Sequence, residues 1–315
     1  MRFTLRQLEY FIAAGETGSI TQASERINIS QPSISTAISQ LEQELDVQLF
    51  IRHHAQGLSL TPVGRLLLME AKRLVEQAES LYAVASEASG EVRGQLNVGC
   101  LTTLAPMILP ELAISFMSAF PKTRVRPHAD HQETLLFGLR RAMIDVAISY
   151  DLQIPQDIEF TPLVSLAVHA LVGEGHALAR EPAISLSELA EHPLILLDLP
   201  LSREYFMALF MREGLQPNIA FRLEQPDLIR TMVANGYGYT LANVTPRSDV
   251  ALDGRRVVRV RLSGEHRPMT IGLVTLREAR RSQLLNAFMN HARSFISEAY
   301  IPGMVAPALE QKKRR

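Results

Sequence analysis

At 315 residues the chain exceeds the ~250–300 residues at which a single core stops growing, so two or three domains are expected. Its hydrophobic fraction of 47% and charged fraction of 21% are those of a folded soluble protein, and no run approaches the roughly 18–20 apolar residues of a membrane span. The formal net charge of −1 is not that of a typical nucleic-acid binder, and a lone cysteine, Cys100, excludes an internal disulfide and a cysteine-based zinc site while leaving a redox thiol open.

The first residues lack the basic start and apolar core of a secretion signal, so a cytoplasmic location is expected. Three amphipathic stretches follow. From Leu5 to about Glu16, Leu5, Leu8, Phe11 and Ile12 fall at helical spacing. Ser19 is placed to cap a short second helix carrying Ile20, Ala23 and Ile27. Asn28-Ile29-Ser30 then reads as a tight turn, with Asn28 suited to a left-handed conformation and Ser30 to the N-cap of a third helix. Pro32 marks its first turn, and Ile34, Ile38, Leu41 and Leu45 form its apolar stripe. The opposite face carries Gln31, Ser33, Thr36, Ser39, Gln40 and Gln43, hydroxyls and amides that suit base edges and phosphates. Taken alone, such a face is more readily an ordinary polar surface. A short helix, a tight turn and a capped longer helix are, however, the arrangement that places a second helix in the major groove. Up to Thr61, Arg2, Arg6, Arg26 and Arg52 stand against Glu9, Glu16, Glu25, Glu42, Glu44 and Asp46, so contact with DNA must rest on neutral donors and helix N-termini.

Thr61-Pro62 is another cap and first-turn proline, and the helical pattern after it runs to about Ser89. Leu67, Ala71, Leu74, Ala78, Leu81, Ala85 and Ala88 keep a seven-residue repeat, which points to pairing with a second helix; packing on its own domain is the alternative. From Gln95 short apolar runs alternate with helices, the pattern of an α/β unit with mostly parallel strands. Strands are expected at 96–100, 123–127, 146–149, 166–172, 194–197, 219–223, 239–242 and 270–275, and helices at 106–119, 133–143, 203–213 and 227–234. His128 and His169 read as strand residues without an assignable role, and the terminal Lys312-Lys313-Arg314-Arg315 as a solvated tail.

The stretch LRQLEYFIAAGETGSITQASERINISQPSISTAISQLEQELDVQLFIRHHAQGLSLTPVG resembles the N-terminal region of LysR-type transcriptional regulators, ungapped over about 60 positions. Its SQPSIS helix start, its LE-EL-LF-R run and its L-LT--G exit carry the likeness. The resemblance implies an α+β multidomain chain. Residues 1–61 would form a winged helix-turn-helix, 62–90 a linker and dimerisation helix, and 91–300 a two-lobed α/β effector domain of the type II periplasmic-binding-protein kind. Lobe 1 would take about 91–164 and 269–300, lobe 2 about 165–268, leaving 301–315 as a tail. It places Ser30, Gln31, Pro32, Ser33, Ser35 and Thr36 at the groove and Arg52 on the wing, where His53 and His54 read as solvated wing residues more readily than as supplements to Arg52. Thr36, Ser39 and Gln40 stand where the family commonly has basic residues, so base preference does not carry over.

Ligands of such lobes bind at the C-terminal ends of strands, in the cleft between them. The resemblance then points to Thr102 and Thr103, to His131 and Gln132, and to Ser149 through Asp151. From the other lobe come Ser202, Arg203, Gln225 and Asn243, the last where the family often has proline. Helices starting near Thr102-Thr103 and Ser202-Arg203 would aim positive dipole ends at the cleft, so a carboxylate effector is expected; Asp130, Asp151 and Glu204 leave an amine or zwitterion open. The expected partners are double-stranded operator DNA, a small-molecule effector and further copies of the chain in a homodimer or homotetramer. No cofactor, metal or membrane partner is implied. A rival reading as an enzyme finds no Gly-x-Ser-x-Gly, GxGxxG, P-loop or HExxH motif, and a transporter's solute-binding protein would lack the helix-turn-helix.

Overall fold

The computed structural model describes residues 3–53, 57–87, 91–279 and 281–307. It divides into two compact units, 1–95 and 96–315.

In the first unit, α1 (Leu5–Thr17) starts with a capping box between Thr4 and Gln7 and ends at Gly18 in the left-handed region. Helix α2 (Ile20–Ile27) is capped by the Ser19 side chain, and Asn28 ends it at φ 53°. Helix α3 (Gln31–Leu45) follows after the three-residue turn the sequence predicts. Leu8, Phe11, Ala23, Ile34, Ile38 and Leu41 close one core, with Phe11 edge-on to Phe50 at 5.5 Å. Leu5 departs from its expected place on the apolar stripe: it is 47% exposed and lies outside this core. Strands β1 (Phe50–His53) and β2 (Gly57–Leu60) form an antiparallel hairpin, the wing.

Helix α4 (Pro62–Glu87) departs from the pairing reading over its first turns. Leu67 and Ala71 face inward with Leu68 and Val75 onto the unit's own core, so two positions of the repeat are used there. Val63, Leu66 and Met69 remain exposed, as does Leu74, the next position of the repeat. The side chains of Leu81 and Ala85, and Ala88 itself, lie outside the described residues. Glu16 receives Arg26 at 2.7 Å and Lys72 at 2.6 Å, tying α1 to α2 and α4. Burial alone would raise the Glu16 carboxyl, but these two cations outweigh it and hold it below the ordinary value.

In the second unit one sheet has the order β4-β3-β5-β13-β6, from β3 (Gly94–Leu101), β4 (Thr123–Asp130), β5 (Val146–Tyr150), β6 (Ile158–Leu166) and β13 (Met269–Leu276). Helices α5 (Ala105–Ala119), α6 (Gln132–Arg140) and α10 (Gln283–Phe295) accompany it, and we refer to this part as the first lobe. The second lobe has a four-stranded sheet, β11-β7-β12-β8, from β7 (His169–Gly173), β8 (Ala183–Ile184), β11 (Thr240–Ala242) and β12 (Val257–Leu262). Beside it β9 (Pro193–Leu197) pairs parallel with β10 (Asn218–Leu223). Helices α7 (Leu186–Ala190), α8 (Pro200–Arg212) and α9 (Pro226–Ala234) complete the lobe.

Three expectations need correction. The strands are mixed rather than mostly parallel: β13 runs antiparallel to both β5 and β6, and β7 antiparallel to β11 and β12. The cause is connectivity, since β13 returns from the other lobe and enters the sheet from the opposite end. The expected strand at 166–172 is two strands, β6 and β7, in different sheets, with the chain crossing between Leu166 and His169. Strand β6 went unread because Pro162 interrupts it; that proline sits on the outermost strand where the register against β13 shifts, a position that spares the ladder. Among the described residues no helix is long and apolar enough to cross a membrane.

Candidate DNA face and effector cavity

The polar face of α3 is laid open by the burial of Ile34, Ala37, Ile38 and Leu41 on the other side. Gln31, Pro32, Ser33, Thr36, Ser39 and Gln40 are exposed and Ser35 is half-buried. Ser30 occupies the N-cap position but departs from its expected role: its hydroxyl meets the Ser33 hydroxyl at 2.8 Å and caps no backbone N–H. The backbone N–H groups of the first turn are therefore not satisfied by that side chain, which suits a phosphate. Gln40 accepts a hydrogen bond from Gln7, which anchors this end of the face to α1. Arg52 pairs with Leu58 in the wing hairpin, its side chain lying outside the described residues, as does His54.

In the second unit a cavity of about 470 Å³ is lined from both lobes. Of the expected residues, Thr102, Thr103, Tyr150, Ser202, Gln225 and Asn243 line it. Five others, His131, Gln132, Ser149, Asp151 and Arg203, do not, each for a visible reason. His131 is exposed at the N-cap of α6, where its N–H donates to Asp130 at 2.7 Å. Ser149 is 1% exposed and donates to the Gln132 side chain at 2.7 Å, while Gln132 donates to the Leu152 carbonyl at 2.8 Å, so both serve the packing behind the wall. Arg203 turns away and donates to Asp198 at 2.9 Å, an acid that Arg222 also approaches at 3.7 Å. Asp151 likewise holds Arg267 at 3.0 Å.

The residues that sequence reasoning missed are mainly apolar walls. Leu171, Leu197, Phe206, Ile229, Leu241 and Met269 make the interior oily, and Val250 and Leu252 stand at the lip, the latter 83% exposed. The missed charges are Asp227 and Arg230 on α9. Arg230, three residues beyond Asp227 at helical spacing, was the available signal. Its guanidinium donates to the Ser248 carbonyl, and burial and then Arg259 hold it below its ordinary value. Burial likewise pushes the Tyr150 phenol up, against a hydrogen bond with Thr103.

Three helix N-termini open on the cavity: α5 beside Thr102 and Thr103, α8 at Ser202, and α9 at Gln225 and Asp227. None has a side-chain cap, and their N-cap residues are Leu104, Leu199 and Gln225. Free N–H groups and dipole ends therefore face an apolar space. Asn243 is held in its wall by a bond to the Leu166 carbonyl at 3.1 Å, one that a proline's ring could not replace.

Comparison with known proteins agrees with this architecture. Residues 5–65 match the model of the bacterial regulatory helix-turn-helix protein, lysR family, and residues 89–296 that of the LysR substrate binding domain. The HTH-type transcriptional regulator YvbU of Bacillus subtilis is 29% identical over 276 residues, covering 88% of this chain and 94% of that one. The DNA-binding transcriptional dual regulator OxyR of Escherichia coli is 28% identical over 238 residues, covering 75% and 78%. Among solved structures, HinK, a LysR family transcriptional regulator from Pseudomonas aeruginosa, superposes with a TM-score of 0.64 at 36% identity, covering 94% of this chain and 99% of that one. With a helix-turn-helix at one end and a ligand-sized cavity in a matched substrate-binding domain at the other, the chain belongs to the LysR family of DNA-binding transcription regulators.

Proposed function

We propose that this regulator reads operator DNA through the polar face of α3 and answers to a small carboxylate-bearing metabolite with an apolar body, bound in the cavity of its second unit. The carrying observation is the cavity itself: an oily interior on which three uncapped helix N-termini and Arg230 converge. A carboxylate would satisfy those donors and leave the rest of the ligand to the apolar walls. Asp227 on the same helix supports a second reading, in which the ligand also bears an amine.

Calorimetry with matched acids, amines and amino acids tests this. Acids should bind preferentially, Arg230→Ala should cost about 1.5–3 kcal/mol, and Thr103→Val about 1 kcal/mol. Selective binding of amines, or acid binding indifferent to both substitutions, would overturn the carboxylate.

For the DNA face, Gln31→Ala and Ser33→Ala should each weaken specific binding by about 1–3 kcal/mol while sparing the fold. Fluorescence anisotropy on the protein's own operator measures this, and unchanged affinity in both variants would remove α3 from the groove. Arg52 is assigned to the wing contact on the same footing.

We further assign self-association to α4, as a homodimer that can build a homotetramer. The exposed Leu66, Met69 and Leu74 support it, because one helix rarely leaves several large apolar side chains to water without a partner. Leu74→Ser should weaken association about tenfold by removing apolar surface from each copy. Analytical ultracentrifugation reads the shift, and an unchanged dissociation constant would move the interface elsewhere.

A further inference from the structure

After α10 the chain turns at 297–300 and packs back onto the second unit. Ile301, Met304 and Ala306 are each at most 2% exposed, so this stretch is packed rather than trailing. It touches both lobes. On the second-lobe side the Val305 N–H donates to the Thr245 carbonyl at 2.9 Å, and the Arg247 N–H donates to the Gly303 carbonyl at 3.1 Å. These bonds flank an antiparallel bridge between Pro246 and Met304. The Arg247 side chain adds bonds to the carbonyls of Met304 at 3.3 Å and Ile301 at 3.4 Å, and lies over the Tyr300 ring.

On the first-lobe side the Gly303 N–H donates to Glu111 of α5 at 3.3 Å, and the same carboxylate stands 3.8 Å from Arg247. Gly303, at φ +65°, is so close to α5 that a Cβ would lie 2.8 Å from the Cα of Met107. Met107 and Pro246, the two residues the stretch grips, both line the cavity and stand on opposite lobes.

We propose that residues 300–306 are a strap that bolts the α5 wall of the cavity to the wall after β11, with Arg247 and Gly303 as positioning residues that set how wide the cavity opens. This rests on the cavity being the effector site. Parting the lobes at this edge stretches the main-chain bonds at Gly303 and Val305 and the Glu111–Arg247 contact together. A ligand too bulky for the strapped cavity must break them, so the strap selects for size and holds the walls ready for ligands that fit.

Two measurements test the strap, on the two-unit chain carrying Arg247→Ala, which leaves every cavity-lining residue in place, and on a chain ending at Glu298. The first is hydrogen–deuterium exchange without ligand. Exchange in both variants should rise together in peptides covering 103–112 and 240–250. A rise on only one lobe, or on neither, would overturn the strap. The second is titration with anilinonaphthalene sulfonate, an apolar aromatic anion, with Arg230→Ala as the control for its site. Loss of preorganisation should weaken its binding about tenfold. Unchanged affinity despite faster exchange on both lobes would also overturn the proposal. If the unaltered protein binds neither this probe nor any acid, the effector reading of the cavity fails, and the exchange result alone decides whether the strap joins the lobes.

Discussion

Gly64→Ala should destabilise the first unit by about 3 kcal/mol, lowering its melting transition by roughly 10–20 °C, and should abolish operator binding near that transition. Gly64 lies in the first turn of α4, where its N–H donates to the Thr61 hydroxyl at 2.8 Å. A Cβ there would stand 2.2 Å from the carbonyl oxygen of Leu49. That oxygen has no room to retreat: it accepts the Thr61 N–H at 3.0 Å, Leu49 is fully buried, and the Thr61 hydroxyl is itself bonded to the Gln48 carbonyl at 2.7 Å. The helix must therefore move off the start of β1, which draws Leu67 and Ala71 out of the core they share with α1 and disturbs the wing. Urea titration followed by circular dichroism, with anisotropy on the operator, measures both effects. A variant as stable as the unaltered protein would mean that α4 does not seat on Leu49.

Gly238→Ala should cost about 4 kcal/mol in the second unit, combining a left-handed-region penalty with a backbone clash. Gly238 has φ +147°, and a Cβ would lie 2.2 Å from the Pro193 carbonyl oxygen, which accepts the Tyr239 N–H at 2.9 Å. Tyr239 in turn accepts the Ile195 N–H at 2.8 Å, so the glycine sits where β9 is stitched to the start of β11. Strand β11 leads directly into Asn243 and supplies Leu241 and Ala242 to the cavity wall. Ligand binding should therefore fall with stability, while operator binding by the first unit persists, because its core includes none of these residues. Thermal unfolding paired with calorimetry checks this; full stability and full ligand affinity together would refute the account.

The helix-turn-helix was legible almost to the residue, and the reason is local. Ser19, Asn28 and Pro32 act on their own helix ends, and Ile34, Ile38 and Leu41 repeat at the period of the structure they form, so these positions fall where the pattern places them. The wing was not legible from pattern, since two four-residue strands are too short to show a period, and it entered through family resemblance. Strand β12 shows how a clear signal can be passed over: VVRVRL buries Val257, Val260 and Leu262. Strand β6 is the harder case, because its proline is tolerated only through an edge position and a register shift that the linear sequence does not display.

The cavity divides the same way. Thr102, Thr103, Ser202, Gln225 and Asn243 follow strand ends or open helices, and that topological rule places them on its wall. Arg203 follows the same rule and fails, because a flexible cation goes to the nearest acid; Asp198, five residues earlier, captured it, and Arg230 from another helix stands at the cavity instead. Local chemistry thus settles where helices start and which faces are apolar, since capping and periodicity act within a few residues. Which strand borders which, that Leu67 and Ala71 of the α4 repeat turn inward, and which arginine lines the cavity depend on segments distant in the chain packing together, and only the folded molecule brings those into contact.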